Sequence, residues 1–320
     1  MIRVQDISGL AKAHYDTIKE RLTKRINNVL QKGSCKCKKE TYNVGEVCRN
    51  YLKELQDPSK LYSLITCKPE KIEDIIQNIK NTYPEFVDKK KDSNRVLYNI
   101  FVDSCYDGQD SNGKKYFDKS NFISNFDLET CPYCNRNYIY SISRNGQEVK
   151  PEIDHFYPKS QYPFLAMSYY NLIPSCPTCN GFGAKEEKDP LDAGNKIINP
   201  YLINTDDFKF SFDLQKVSAK DFVRVKLKCP SNGYNELFKL DRLYEKHNDH
   251  VEELIFKSEV KYPQSYRENV GKMFMNANSS NKYNIDFQRF LIGNYVKDDE
   301  LHKRPLAKLY RDIAQQLKLI

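Results

Sequence analysis

The sequence lacks the features that mark a membrane, secreted or fibrous protein. It contains no tryptophan, and 23 tyrosines and 17 phenylalanines supply its aromatic bulk. No run approaches the roughly 18 apolar residues of a membrane span, and the polar N-terminus has no signal-peptide apolar core. Glycine and proline number only 12 and 14 in 320 residues, which excludes collagen-like and low-complexity chains. We therefore expect a globular, cytoplasmic protein without a membrane partner.

The charge is mildly positive and unevenly distributed along the chain. Lysine and arginine total 51 against 43 acidic residues, a formal net charge of +8. Residues 1–125 carry +6 of this charge, residues 126–200 carry −2, and residues 201–320 carry +4. A net positive charge permits a polyanionic partner without requiring one. If there is such a partner, we expect the flanking regions rather than the acidic middle to attract it.

These three regions also differ in pattern, and we take 1–125, 126–200 and 201–320 as the predicted domains. Apolar periodicity predicts helices in the first region at Leu10–Leu30, Ile72–Ile79 and Val96–Val102, with a basic loop at Lys32–Lys39. In the last region, alternating runs predict a hairpin from Phe208–Leu214 and Phe222–Lys228. Helices are predicted to follow at Asn235–Phe256, Phe287–Tyr295 and Arg304–Leu317, the last with Pro305 in its first turn.

The middle region changes to short periodicity and contains a strong turn signal. Asn137–Ser143 alternates as a strand does, Asn145-Gly146 is a turn dipeptide, and Glu148–His155 returns. A strand, an Asn-Gly turn and a second strand predict a hairpin that ends at His155.

Ten cysteines are the most informative feature of the composition. A chain of this length can bury a core without disulfides, and a reducing compartment would not keep them. Cys131-Pro-Tyr-Cys134 and Cys176-Pro-Thr-Cys179 each place two thiols on one tight turn. One pair alone could be a redox motif, but two pairs of the same form favour a closed four-sulfur site for a structural Zn²⁺.

The segment between the two cysteine pairs carries a set of residues suited to hydrolysis. Asp154 and His155 end the second predicted strand, Asn171 follows sixteen residues after the histidine, and Asn180 comes directly after Cys179. A carboxylate and an amide oxygen can hold a hard divalent cation, and a neutral imidazole can take a proton from water. An isolated Asp-His pair is more often a structural hydrogen-bonded pair, but the order of all four residues favours a catalytic site.

This order resembles the HNH endonucleases of the ββα-metal fold in their four-cysteine version, over about 60 residues. The resemblance implies that His155 is the general base, that Asp154 and Asn180 bind a catalytic Mg²⁺ or Mn²⁺, and that Asn171 braces the loop that orients His155. It also implies cleavage of DNA that leaves a 5′-phosphate. Because Gly181 and Gly183 follow Asn180 and disfavour helix, we expect a third element that is either short or delayed.

A wider stretch, Phe156–Ala166 and Tyr169–Cys176, resembles the HNH subunit of Septu-type antiphage systems. That resemblance implies an ABC-type ATPase partner that restrains the nuclease. Lys159 and Lys185 flank the predicted site and are candidate phosphate contacts. The sequence thus predicts an α+β protein: an HNH nuclease core with a four-cysteine zinc, flanked by mainly helical regions.

Three alternatives remain open from the sequence. A second zinc site could use Cys35, Cys37, Cys48 and Cys67, although their irregular spacing favours free thiols. His247 and His250 share a helix face and could be a ligand pair, but their polar neighbours favour a solvated face. Finally, the zinc module could be a nucleic-acid- or protein-binding adaptor without catalysis.

Overall fold

The computed structural model describes residues 1–37, 40–144, 147–217, 220–277 and 287–320. Within these residues the chain is mixed, with thirteen α-helices and four two-stranded antiparallel sheets. No helix in these ranges combines the length and apolar character that crossing a membrane requires. The Asn145-Gly146 dipeptide of the predicted hairpin lies outside the described residues.

The α-helices vary from 23 residues to four. In chain order they are α1 (Leu10–Lys32), α2 (Glu46–Glu54), α3 (Pro58–Ile65), α4 (Pro69–Thr82), α5 (Asp92–Tyr98), α6 (Lys119–Ser124), α7 (Pro177–Asn180), α8 (Gly233–Phe238), α9 (Leu240–Tyr244), α10 (Asn248–Phe256), α11 (Gln264–Ala277), α12 (Phe287–Ile292) and α13 (Ala307–Gln316). A π-helical segment, Asn99–Tyr106, continues α5.

The eight strands pair with a single neighbour each. They are β1 (Ser34–Cys37), β2 (Glu40–Asn43), β3 (Ile142–Arg144), β4 (Gln147–Val149), β5 (Glu152–His155), β6 (Leu172–Ser175), β7 (Lys209–Val217) and β8 (Lys220–Lys228). The pairs are β1 with β2, β3 with β4, β5 with β6, and β7 with β8. The hairpin predicted in the last region is therefore confirmed as β7 and β8.

The chain forms two compact units. One comprises Met1–Arg3, Leu128–Ile139 and Ile203–Ile320, and the other comprises Val4–Asp127 and Tyr140–Leu202. We call them the C-terminal unit and the N-terminal unit, after the segment that forms most of each. The three domains predicted from the sequence, 1–125, 126–200 and 201–320, stay a prediction.

The N-terminal unit is built around α1, whose apolar stripe was predicted from its spacing. Ile18, Leu22 and Ile26 are almost completely buried. Arg21 on the same helix donates from Nε to the Ser104 carbonyl in the π-helical segment, at 2.9 Å. This bond joins α1 to the π-helical segment that carries Tyr106.

The C-terminal unit packs its long hairpin against helices. The rings of Phe210 and Tyr244 lie 4.4 Å apart between centroids, and those of Phe208 and Tyr234 lie 4.8 Å apart. Asp312 on α13 accepts a hydrogen bond from the Phe210 backbone amide at 2.9 Å. Phe210 of β7 and Phe208 just before the strand thus pack against helices, whereas Leu214 on the same strand is 60% exposed.

Three predicted elements are wrong in detail. The predicted basic loop at Lys32–Lys39 contains β1, because Gly33 ends α1 with a positive φ of 66° and turns the chain into a strand. The predicted helix Asn235–Phe256 is broken at Lys239, which has a φ of 54°. The last helix begins at Ala307, since Leu306 has a φ of 62°, and Pro305 therefore precedes the helix.

Candidate active site and metal centre

Four buried cysteines form a group that could hold a zinc ion. In both Cys-x-x-Cys pairs the first carbonyl accepts from the second amide, at 3.3 Å for Cys131–Cys134 and 3.0 Å for Cys176–Cys179. The four sulfur atoms all lie within 4.8 Å of one another. Four buried thiols at this separation are the donor set of a closed, tetrahedral zinc site, which is structural in character.

Asp154 and His155 lie on a different sheet from the one predicted. The expected hairpin exists only as β3 and β4, and the chain then leaves it before β5 begins at Glu152. β5 pairs with β6, in the register Asp154 with Ile173 and His155 with Leu172. Because β6 leads directly into α7, the local order is two antiparallel strands followed by a short helix. The helix ends at Asn180, as the two following glycines predicted.

The Asp154 carboxylate lies in the interior and pairs with a lysine. Lys185 donates from Nζ to Asp154 Oδ1 at 3.0 Å and to the His155 backbone carbonyl at 2.9 Å. The lysine side chain is 0% exposed and the aspartate side chain is 1% exposed. The candidate phosphate contact Lys185 is therefore inside the protein in this conformation, where its charge is compensated by Asp154 rather than presented to a ligand.

The His155 imidazole is held by one backbone hydrogen bond and one aromatic contact. Nε2 lies 3.0 Å from the Ala166 carbonyl, and the Tyr106 ring meets the imidazole edge-on at 4.5 Å. A carbonyl can only accept, so Nε2 carries the proton and Nδ1 carries the lone pair. Burial, together with the Lys159 ammonium, holds the pKa of His155 well below its usual 6.5. The ring is thus neutral at physiological pH, and Nδ1 is the nitrogen that can accept a proton.

Two lysines lie over the same tyrosine that contacts His155. The ammonium groups of Lys119 and Lys159 are 3.8 Å and 4.6 Å from the centroid of the Tyr106 ring. Asp107 pairs with both, at 2.8 Å to Lys119 and 3.6 Å to Lys159. Each lysine side chain is 29% exposed. Lys159 was predicted at the site, and the structure adds Lys119 beside it.

Asn171 braces the loop between β5 and β6. Its Oδ1 accepts from the Tyr157 amide at 2.7 Å, and its Nδ2 donates to the carbonyls of Tyr157 and Leu165 at 3.1 and 3.0 Å. The residue is fully buried, so all three bonds are made away from water. The amide thereby ties together the two ends of the segment that carries Ala166, the partner of His155.

Asn180 is paired with a residue that the sequence did not single out. Its Nδ2 donates to Glu152 Oε2 at 2.8 Å. Glu152 and Asp154 are two apart on β5 and therefore share one face of the strand. The two predicted cation ligands thus have different partners in the structure, Glu152 for Asn180 and Lys185 for Asp154.

The functional neighbours missed by the sequence analysis share one property. Tyr106, Asp107, Lys119 and Glu152 belong to no motif, and three of them come from the first 125 residues. The aromatic-acidic dipeptide at 106–107 gives no signal in one sequence, because its role depends on contacts made across the fold.

The second zinc site that the sequence left open would use four cysteines of the N-terminal unit. Within the described residues, Cys35, Cys37, Cys48 and Cys67 do not gather three ligand atoms within 4.8 Å. Cys37 instead donates to an Asp103 carboxylate oxygen at 3.0 Å.

The histidine pair on α10 and the turn before it is partly buried rather than fully solvated. His247, Asp249 and His250 place their ligand atoms within 4.8 Å of one another. However, Arg136 donates from Nε to His247 Nε2 at 3.0 Å, and His250 Nδ1 lies 2.7 Å from the Tyr310 hydroxyl. The lone pair of His247 is thus used by a guanidinium, which also disfavours a cation there.

Comparisons with known proteins give partial similarity to two curated proteins. The chain is 39% identical over 69 residues to the Septu protein PtuB of Bacillus thuringiensis, which covers 21% of this chain and 24% of that protein. It is 35% identical over 74 residues to protein ea31 of Escherichia phage lambda, covering 23% of this chain and 21% of the phage protein. No family model and no solved structure matches the chain. The similarity supports a relationship to Septu proteins over about a fifth of the sequence.

Proposed function

We propose that this chain is a metal-dependent HNH endonuclease that hydrolyses DNA phosphodiester bonds. The observation that carries the proposal is the arrangement of His155: an imidazole whose Nε2 is bonded to a carbonyl, which leaves the lone pair on Nδ1, at the end of the first of two strands that lead into a short helix. The partial similarity to PtuB supports the further proposal that the chain acts in antiphage defence.

In the proposed reaction, His155 acts as the general base. Nδ1 takes a proton from a water molecule whose oxygen then bonds to phosphorus. The bond from phosphorus to the 3′ oxygen breaks, which leaves a 5′-phosphate, and the departing 3′ oxygen takes a proton from solvent water to become a 3′-hydroxyl. The Ala166 carbonyl keeps the other ring nitrogen protonated, and Asn171 is the positioning residue that keeps this carbonyl in place. A low pKa keeps the imidazole unprotonated and therefore able to act at neutral pH.

We propose that oxygen donors on β5 and at the end of α7 hold a hard divalent cation. Asp154, Asn180 and Glu152 offer the carboxylate and amide oxygens that Mg²⁺ and Mn²⁺ prefer. Asp154 already pairs with a cationic group, the Lys185 ammonium, at 3.0 Å. The carboxylate is thus built to face positive charge. A bound cation would supply Lewis-acid stabilisation of the phosphate and lower the pKa of water.

Lys119 and Lys159 are the proposed phosphate contacts. Both are partly exposed and both lie over Tyr106, which touches His155. Asp107 compensates part of their charge and holds them in place. Charge-assisted bonds from two lysines would position a phosphate near the base without specifying a sequence. Lys185 is not proposed as a contact, because it is buried against Asp154.

An ABC-type ATPase partner is proposed from the Septu relationship and the charge distribution. The relative with 39% identity is a Septu protein, and the segment 126–200 carries a net charge of −2. An acidic segment does not attract DNA by itself. A partner that binds the nucleic acid would supply the affinity that this segment lacks.

Plasmid nicking by the purified chain, alone and with a co-expressed ATPase, tests the proposed function. With Mg²⁺ or Mn²⁺ we expect conversion of supercoiled to open-circular DNA, and loss of this activity in His155→Ala. His247→Ala is the matched control, since it removes a histidine from the C-terminal unit and should nick normally. Equal cleavage by His155→Ala and the native chain would refute the assignment. If neither metal supports cleavage, by the chain alone or with the ATPase, the chain would instead be a binding adaptor without catalysis.

A further inference from the structure

A small cavity lies in the N-terminal unit, and its lining contains none of the residues that have a role in the proposed reaction. Its volume is about 180 Å³, and it is bounded by α1, the segment 116–125 and Tyr169. His14 and Phe117 form part of its wall. Thr17, Asn121 and Asn125 add polar side chains to its lining. The cavity therefore combines an aromatic wall with several groups that can hydrogen-bond.

His14 gives this cavity a hydrogen-bond acceptor. The residue is 7% exposed, and its Nε2 lies 2.9 Å from the Met167 carbonyl. Because that carbonyl can only accept, Nε2 holds the proton and Nδ1 holds the lone pair. Among the described residues, the Met167 carbonyl is the one hydrogen-bond partner of the His14 imidazole. A ligand that fills the cavity can therefore satisfy Nδ1 by donating from N–H or O–H.

The surroundings of His14 favour a flat and uncharged ligand. Phe117, Phe122 and Tyr169 pack around the imidazole with centroid distances of 5.5, 5.4 and 5.8 Å. Burial lowers the pKa of His14 to about 4, so the ring adds no positive charge near neutral pH. Asp118 also lines the cavity, and its carboxylate disfavours an anion.

Size limits the ligand to about one ring. An engineered protein cavity of about 150 Å³ binds benzene. A cavity of 180 Å³ is slightly larger and accepts a six-membered ring with small polar substituents. A phosphate group or a sugar would have to remain outside, where the cavity opens to solvent.

We propose that this cavity binds a single pyrimidine base, with a base N–H donating to His14 Nδ1. Asn121 and Asn125 then provide amide groups for the remaining edge of the base, and the aromatic wall contacts the ring. The base can come from a free nucleoside or from a nucleic-acid strand. Only the second source rests on the proposed nuclease function, since recognition of the ring needs no catalysis.

The position of the cavity also links it to His155. The carbonyls that hold His155 and His14 belong to Ala166 and Met167, which are consecutive residues. The backbone that holds His14, a wall residue of the cavity, is therefore continuous with the backbone that holds the proposed general base.

The five histidines of the chain make a direct binding experiment possible. Ring-nitrogen signals of ¹⁵N-histidine-labelled protein are recorded during titration with cytidine, uridine or a short pyrimidine oligonucleotide, without added divalent metal so that no strand is cut. We expect a saturable change at the Nδ1 signal of His14, and small or no change at His247, His250 and His302. A response to the nucleosides identifies a free base as a ligand, and a response to the oligonucleotide alone identifies a strand. No response to any of the three would overturn the proposal.

Two alanines on α1 provide a matched pair of variants. Ala13 lines the cavity, so Ala13→Leu fills it while preserving helix propensity. Ala11 does not line the cavity, and Ala11→Leu makes the same chemical change two residues away. We expect Ala13→Leu to weaken binding by about tenfold or more and Ala11→Leu to bind as the native chain does. Equal binding by both variants would place the ligand elsewhere and overturn the proposal.

Discussion

Replacement of Lys185 by methionine tests whether the buried Asp154 carboxylate needs a cation beside it. Methionine keeps the length of the aliphatic side chain and removes the ammonium, which leaves the 1% exposed carboxylate without its 3.0 Å partner. Breaking a buried ion pair by removing one member costs about 3–5 kcal/mol, because an uncompensated charge remains. We expect a loss of this size in the free energy of unfolding, measured by urea titration with far-ultraviolet circular dichroism. The chain has no tryptophan to serve as a fluorescence probe.

A divalent cation should reverse part of this loss if it takes the place of the ammonium. A cation present at about 100 times its dissociation constant stabilises the folded chain by about 2.7 kcal/mol. In the native chain Lys185 competes for Asp154, so Mn²⁺ should stabilise Lys185→Met more than the native chain. The double variant Lys185→Met with Asp154→Asn removes both charges, and it should be more stable than the single variant and insensitive to Mn²⁺.

Lys308 provides the matched control for this prediction. It forms another completely buried pair, with Nζ 2.8 Å from Asp312 and both side chains 0% exposed. Lys308→Met should also destabilise the chain, but without specific recovery in Mn²⁺, because we propose no cation site at Asp312. Stabilisation by Mn²⁺ that is equal in the native chain and both variants would refute the reasoning. So would a cost below about 1 kcal/mol for Lys185→Met.

Three other predictions address the wider structure. The pKa of His14 is lowered to about 4, so its imidazole binds a proton more readily in the unfolded chain than in the folded chain. Stability should be complete above pH 6.5 and fall by about 3 kcal/mol toward pH 4, at about 1.36 kcal/mol per pKa unit, and His14→Gln should remove this part of the urea-unfolding pH profile. Asn171→Ala loses three buried hydrogen bonds and should cost about 3 kcal/mol in the same assay, with reduced nicking, whereas Asn50→Ala, at an exposed position of α2, should do neither. Elemental analysis should find one zinc per chain, and Cys176→Ser should lose both this zinc and thermal stability, while Cys67→Ser should keep both.

Each cysteine pair was predictable because the geometry of its turn is local. Two residues between thiols determine a turn, and both turns have the expected carbonyl-to-amide hydrogen bond. The apolar stripe of α1 was predictable for the same reason, since three- and four-residue spacing fixes one face of a helix. In each case the necessary information lies within a short stretch of sequence.

The partner of β5 was not predictable from local signals. The Asn-Gly dipeptide indicated that the strand ending at His155 would pair with residues 137–143, whereas β5 pairs with residues 172–175. A hairpin turn favours pairing of its adjacent residues, but the strand that follows is free to pair elsewhere. Its Ile153, Asp154 and His155 are buried in the observed arrangement, and this burial depends on the tertiary fold.

The lysines near Asp154 and His155 differ in exposure, and this difference decides which of them can contact a ligand. Residues 126–200 contain seven lysines and arginines, and one of these, Lys185, is completely buried against Asp154. Its charge is therefore screened by the carboxylate and contributes little to the surface potential. The partly exposed cations beside His155 are Lys159 and Lys119, and Lys119 comes from the first 125 residues. On the proposed function, the region that supplies the base thus depends on the preceding region to hold its phosphate, and neither segment forms the site by itself.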